Sequence, residues 1–454
     1  MKLSSGTKLR LSRIRSMCKN ENGAVLVIGL MFIAILAMLG STAVVMTTTD
    51  MQIGGNYKTG TQAFWDAEAG VNYGLAMMEA GVKASPSATF TLPTVVGDPT
   101  DPSDSDSVAL SSFTTPSGFG FSFKDPGLTM LDTNLYTFTS DGTAANNSNM
   151  TITVTCRQKP AINMAAFGDT KMDSKSGGTV ESFDSSSSDP TKNDPTDPSF
   201  QSTHEADIGS NTRLVAHSGV DVDGNGVLGE TAAGATAADD IADYDDFYGN
   251  ETPVADERID SDPLGVTSGG EYDPTMYDGA NGPNNNCTAG NCTSDPSSLC
   301  LDLCNDNELD LGNKDEVTLT AGDYYINSGK GLELGNGSTL TIDASAGEVR
   351  IFLDGEGVTA ANGSILNVIG DSTDFSVFSN STVKIDFSNS SAFTGLVYAP
   401  FAPVDIKNDG KFTGAIWGDN VDIKNSGNLY YDSALADKFT TKDMELVTWR
   451  AVRN

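Results

Sequence analysis

From Ala24 to Met46 the chain reads AVLVIGLMFIAILAMLGSTAVVM, 23 residues without a charge. At about 1.5 Å rise per residue a helix over this run spans roughly 35 Å, enough to cross the hydrocarbon core of a bilayer. The helical pattern continues beyond it, with Phe64, Ala67, Val71, Leu75 and Met78 at spacings of three and four. One helix from Ala24 to about Ala80 is predicted, half within the membrane and half outside. Gly54 and Gly55 are adjacent within it, and at about 1 kcal/mol each relative to alanine they predict a kink or local melting.

The pattern then shortens to a period of two. After a linker rich in Pro, Ser, Thr and Asp, the segments GFGFSF (118–123), NLYTFTS (134–140) and MTITVTC (150–156) alternate apolar and polar residues between turns. They predict an antiparallel meander with one face against the helix. Residues 182–316 are acidic and poor in apolar runs, so much of the stretch reads as loop or mobile insert. From Val317 to Tyr431 short strands follow one another closely, and two segments repeat. Phe393-Thr394-Gly395 returns as Phe412-Thr413-Gly414, and Val404-Asp405-Ile406-Lys407-Asn408 returns as Val421-Asp422-Ile423-Lys424-Asn425, at offsets of 19 and 17 residues. A repeat this short buries a core only by stacking on its neighbours, which predicts a parallel β-helix. A β-sandwich is the alternative, because hairpins use the same turn residues.

The expected fold class is therefore α+β. The chain divides into a basic leader (1–23), a transmembrane and exposed helix (24–84), a meander (85–160), a β-rich domain (161–435) that contains the acidic insert 182–316, and a C-terminal tail (436–454).

Charge sharpens this division. The 454 residues hold 27 Lys and Arg against 61 Asp and Glu, a net charge of −34. Such a surface argues against nucleic acid as a partner, since a polyanion is bound by a basic footprint. Lys2, Lys8, Arg10, Arg13, Arg15 and Lys19 stand in the leader with no acid among the first 20 residues. Basic residues flanking the apolar run keep that side cytoplasmic, so the acidic body is expected to be periplasmic.

Cys287, Cys292, Cys300 and Cys304 are packed into a short loop segment, where an oxidising compartment favours two disulfides with the pairing open. Zinc is the weaker reading, because the spacing lacks a CxxC knuckle. Asp221, Asp223 and Asn225, followed by Gly226, place oxygen ligands as in the start of a calcium loop. The twelfth position is Ala232, however, and a turn between two short strands explains the same residues. No other cofactor is indicated. His204 and His217 form no metal or catalytic pattern. Asp405, Asp419 and Asp422 near Lys407 and Lys424 are the best constellation for polysaccharide chemistry, and Tyr398, Phe401, Trp417, Tyr430 and Tyr431 the best candidates for stacking on a glycan. Solvated strand ends explain the charged set equally well, and aromatics on coils more often fill the core or cap the stack, so no enzyme is expected.

The stretch from Asn22-Gly23 to Leu75 resembles the N-terminal region of PilX-type type IV pilus assembly proteins. The shared features are a basic leader, a glycine before the apolar helix, a TTT juncture (Thr47 to Thr49) and the motif Ala63-Phe64-Trp65-Asp66-Ala67-Glu68-Ala69-Gly70. The C-terminal half looks like a β-helical domain found fused to that helix in pilus-associated proteins, on Ala321-Gly322-Asp323-Tyr324-Tyr325, Phe393 to Pro400, Phe412 to Gly418 and Tyr431-Asp432. The resemblance implies a minor pilin or pseudopilin. A prepilin peptidase would cut between Gly23 and Ala24, and the subunit would be stored in the inner membrane before joining other pilin subunits in an extracellular filament. Within the helix motif it singles out Phe64, Ala67, Glu68 and Gly70. Ile28 stands where major pilins carry a glutamate, which suits a minor or tip subunit. The alternative is a membrane-anchored β-helix protein that binds or degrades polysaccharide.

Overall fold

A computed structural model describes residues 21–83 and, apart from short gaps, residues 120–453; the longer stretches outside it are 1–20, 84–119 and 278–291. Helix α1 (Glu21–Lys83) is 63 residues long, about 95 Å at the usual rise. It runs through Gly54 and Gly55 without a break, so the local melting that the sequence allowed there does not occur. Each residue in a long helix adds its own hydrogen bond once the helix is nucleated. Two glycines weaken such a run without ending it, and Thr59 Oγ1 also donates to the Gly55 carbonyl at 3.1 Å.

A small antiparallel sheet packs against the second half of α1. Its strands are β1 (Phe121–Phe123), β2 (Thr129–Asp132), β3 (Leu135–Ala144), β4 (Ser148–Pro160) and a C-terminal strand (Thr440–Arg453). The order is β1, β3, β4, C-terminal strand, with β2 also on β3. Alternation in β3 and β4 sends Tyr136, Phe138, Ile152, Val154 and Cys156 toward the helix, where they bury Ala67, Val71 and Met78. Burial pushes the Cys156 thiol up to about 12, so it stays protonated and behaves as an apolar filler. Within residues 436–454, expected as a tail, Thr440–Arg453 completes this sheet. Its partner strand lies nearly the whole β-rich domain away in sequence, so local pattern gave no sign of the pairing.

Small residues let sheet and helix meet closely. Ala63 and Ala67 are buried on α1. A Cβ on Gly142 would overlap the Ala63 carbonyl oxygen and the Ala67 nitrogen, and one on Gly70 would lie 2.7 Å from Phe121 Cδ2.

The remaining strands join one large sheet in which every named pairing is parallel except Cys292–Asp295 with Glu316–Thr320. The strands fall into three ladders that advance together, one strand per coil. One passes through Leu332–Leu334, Val358–Ala360, Ile385–Ser388, then residues 404–407 and 421–424. A second passes through Glu316–Thr320, Thr339–Asp343 and Ile365–Ile369. The third passes through Gly322–Ile326, Val349–Leu353 and Phe375–Ser379. The two sequence repeats stack residue on residue, Phe393 on Phe412 and Val404 on Val421. Gly395 and Gly414 of the repeated Phe-Thr-Gly adopt φ of +134° and +132°. Only glycine takes that conformation readily, and a Cβ on Gly395 would also sit 2.7 Å from the Phe375 carbonyl oxygen.

Coil order is not chain order. Residues 411–424 are flanked by 392–407 on one side and by 166–175 on the other. The coils that follow residue 166 therefore extend the stack in one direction and those that precede residue 411 extend it in the other. The chain enters at Ala161 and leaves at Phe439, with the Ala161 N–H donating to the Phe439 carbonyl at 2.8 Å.

The acidic segment is not all loop. It supplies Ile208–Ser210, Arg213–His217 and Gly226–Leu228 to the ladders. Further along, Leu264 and Val266 are buried, Tyr272 stacks on Phe378 at 4.3 Å and Tyr277 on Phe352 at 3.5 Å. The aromatic Tyr398 accepts the Leu264 N–H at 3.0 Å and donates to Asp262 at 2.9 Å, while Trp417 Nε1 donates to the Ser261 carbonyl at 2.9 Å. Isolated apolar residues thus pin a polar strap across the coils.

Replacing Gly142 with alanine should force the sheet off the helix and cost about 1–3 kcal/mol. Thermal melting of the detergent-purified chain checks this, and an unchanged midpoint contradicts the close approach.

Candidate functional site

The first candidate is α1 itself. Val25, Phe32, Leu36, Met46 and Ile53 are all more than half exposed, whereas Ala63, Ala67, Val71 and Met78 are buried under the sheet. One helix therefore has a bare apolar half and a half that serves as the spine of the folded body. The bare half is long and apolar enough to cross a membrane, and Gly29, Gly40, Gly54 and Gly55 leave open space where another helix could approach. Gly23 and Ala24 lie inside this helix; their side chains are outside the described residues.

The motif residues separate by face. Ala67 and Gly70 form the contact with β3, while Phe64 and Glu68 line a groove of about 270 Å³ together with Val71, Leu75, Leu446 and Trp449. Trp449 meets Phe64 edge-on at 6.3 Å. Glu68 is the one acidic residue in that lining.

The second candidate is a charged ladder on the outside of the coils. Asp386, Asp405, Asp422 and Asp173 form one column, and Lys407, Lys424 and Lys175 form the next. At about 4.8 Å between strands, four stacked carboxylates would repel one another. Lysines bridge the rungs instead. Lys407 reaches Asp405 at 2.6 Å and Asp422 at 3.5 Å, and Lys424 reaches Asp173 at 2.8 Å and Asp422 at 2.9 Å. Lys384 spans Asp386 and Asp405, and Lys171 also pairs with Asp173. Burial alone would raise Asp173, but the Lys171 and Lys424 ammoniums outweigh it and hold its carboxyl below the usual range. Lys424 is disfavoured as a cation by burial, yet Asp173 and Asp422 hold it above its ordinary value.

Of the residues proposed for polysaccharide chemistry, Asp405 and Asp422 are thus committed to lysines of their own ladder. Asp419 stands apart from it and is raised by burial, with Asp169 nearby. Tyr398, Trp417 and Tyr431 are fully buried in the core and present no platform to a sugar; Phe401 is partly buried.

Two cavities of about 510 and 440 Å³ lie where the small sheet meets the coils, sharing Asn163, Asp207 and Asn225. Asn225 donates from both its backbone N–H and its side-chain amide to Asp207, at 2.6 and 2.9 Å. Asp223 pairs with His204 Nδ1, and the His204 ring stacks on Tyr248 at 3.5 Å. Asp221–Val222 and Gly226–Leu228 are short strands with residues 223–225 turning between them. Two of the three residues read as calcium ligands therefore face other partners. Among the described residues no group of three His, Cys, Asp or Glu side chains is placed to hold a metal ion.

Cys292 is disulfide-bonded to Cys300. Cys287 lies outside the described residues, as does the side chain of Cys304.

Two families match separate parts of the chain, one on the helix and one within the coils. Residues 22–72 match the family described as PilX N-terminal. Residues 252–438 match a domain family of unknown function, DUF7305. No curated protein matches the chain. Among solved structures, competence-associated pilin ComZ from Thermus thermophilus aligns at 10% identity over 87% of this chain and 98% of its own, with a TM-score of 0.27.

The ladder makes stability depend on pH at both ends. Asp173 contributes at pH values above its unfolded pKa and loses that contribution as pH falls through its lowered folded value. Lys424 contributes below its unfolded pKa and loses it as pH rises through its raised folded value. A flat melting temperature near neutrality with losses below about pH 4 and above about pH 10 is expected. Asp173→Ala, which strands the lysines, should cost about 3 kcal/mol and flatten the acid limb; a variant that melts like the parent contradicts the pairing.

Proposed function

We propose that this chain, whose N-terminal region is of the type IV pilin-like PilX kind, is a minor pilin. It is held in the inner membrane by the first half of α1 and enters a type IV pilus or related filament by packing that half against the helices of other subunits. The supporting observation is the division of one uninterrupted helix into an exposed apolar half and a half buried under its own sheet. Lipid covers the exposed half before assembly and like helices can cover it afterwards, since both offer apolar contact without new polar burial.

The coils are the displayed head. Their three parallel ladders support the β-helix reading, and their position at the far end of the small sheet suits assembly initiation, adhesion or another surface contact. The role is structural rather than enzymatic. The alternative, a membrane-anchored polysaccharide-binding or polysaccharide-degrading protein, draws no support from the burial of Tyr398, Trp417 and Tyr431.

Cleavage between Gly23 and Ala24 would remove the basic leader and leave a strongly acidic subunit. Mass spectrometry of the protein from sheared surface filaments is expected to find it there with Ala24 as its first residue. Protein confined to membranes with Met1 retained would overturn this reading.

A further inference from the structure

The C-terminal strand is an open edge. Thr440–Arg453 pairs with β4 on one side and has no strand neighbour on the other among the described residues. Among charged neighbours such as Arg450 and Arg453 it exposes large apolar side chains, with Leu446 43%, Val447 45%, Trp449 54% and Val452 41% accessible. Its register on β4 is regular only from Thr448 to Arg453, beyond two bulges, and an open edge of this kind is a template for a further strand, which soluble proteins normally cover or blunt.

Register shows which side chains an added strand would meet. Leu446 lies opposite Cys156, Trp449 opposite Val154 and Ala451 opposite Ile152, so these positions share the face that packs on α1. A strand laid beside this edge would direct alternate side chains across the mouth of the groove lined by Phe64, Glu68, Val71, Leu75, Leu446 and Trp449. In that largely apolar lining, which also holds Asn72, Glu68 Oε2 is buried without a hydrogen-bond partner. A buried carboxylate oxygen left unpaired is costly, and a cation supplied from outside would relieve it.

We infer that the C-terminal strand edge and the Glu68 groove together form a docking site for an extended segment of another protein, apolar at alternate positions and carrying one Lys or Arg that pairs with Glu68. The segment joins by strand addition, in which backbone hydrogen bonds give affinity and the groove gives specificity. A second copy adding its own C-terminal strand in antiparallel register is a poor occupant. The two-fold axis of such a pair stands perpendicular to the sheet and would reverse α1, whereas two copies sharing a membrane have parallel helices. The inference rests on the pilin reading only for the origin of the segment, which would be a neighbouring filament subunit.

Selection of a random nine-residue phage-displayed peptide library on the detergent-purified full chain tests this apart from any filament. The expected winners alternate apolar residues with one Lys or Arg, slow amide exchange over residues 446–453, and bind at least tenfold more weakly to Glu68→Gln. Glu68→Lys is expected to shift the selection to acidic peptides. Glu68→Gln should melt no lower than the parent, because the only Glu68 atom buried without a partner is one carboxylate oxygen. The inference is overturned by an empty selection, by winners indifferent to Glu68, by protection elsewhere, or by a dimer joined through the C-terminal strands.

Discussion

The hydrogen bond from the Ala161 N–H to the Phe439 carbonyl, at 2.8 Å, marks the point on which the architecture turns. There the chain passes into the coils and returns from them, so the stack must be filled outward from its middle, with the coils after residue 166 on one side and those before residue 411 on the other. The incoming and outgoing segments are β4 and the C-terminal strand, paired antiparallel over Thr440 to Arg453. That pair belongs to the sheet packed on α1. Helix, sheet and coils thus form a single line of attachment, and any load on the head reaches the helix through two strands.

The close approach of sheet to helix makes this attachment firm. Ala63, Ala67 and Gly70 present almost no side chain on the contact face, and Gly142 and Ser140 of β3 sit directly on them. The small residues of the motif are therefore explained by packing, which leaves Phe64 and Glu68 on a neighbouring face to line the groove. Coil-to-coil cohesion has a different source. Inside are packed aromatics such as Phe387, Phe393 and Phe412, with centroids 4.5 and 4.9 Å apart along the series. Outside is the Asp–Lys ladder, in which every carboxylate of the column meets a lysine.

Much of this was legible in the sequence because it is local or periodic. The helix follows from an uncharged run and a 3.6-residue pattern. The strands follow from alternation, and the stacking from two repeats whose offsets match the observed register residue for residue. Three features escaped. The C-terminal strand pairs with a segment 288 residues away, as Arg157 and Glu445 show at 2.5 Å, and a bulge between Leu446 and Thr448 breaks its alternation. The strap through Leu264, Tyr272 and Tyr277 consists of single apolar residues in an acidic run, which has no period to read. Repeated Val-Asp-Ile-Lys was visible, but only the register showed that its charges neutralise one another across coils.

A bare apolar half-helix and a head hung from the other half fit a subunit that moves from a bilayer into a bundle of like helices. The most direct test is a photo-reactive amino acid placed at Leu36, which is 63% exposed, in cells whose filaments are then sheared and irradiated. Cross-linking of this chain to the helix of another pilin subunit within the filament is the predicted result. Cross-links to lipid alone, with no protein adduct in the sheared fraction, would contradict the account.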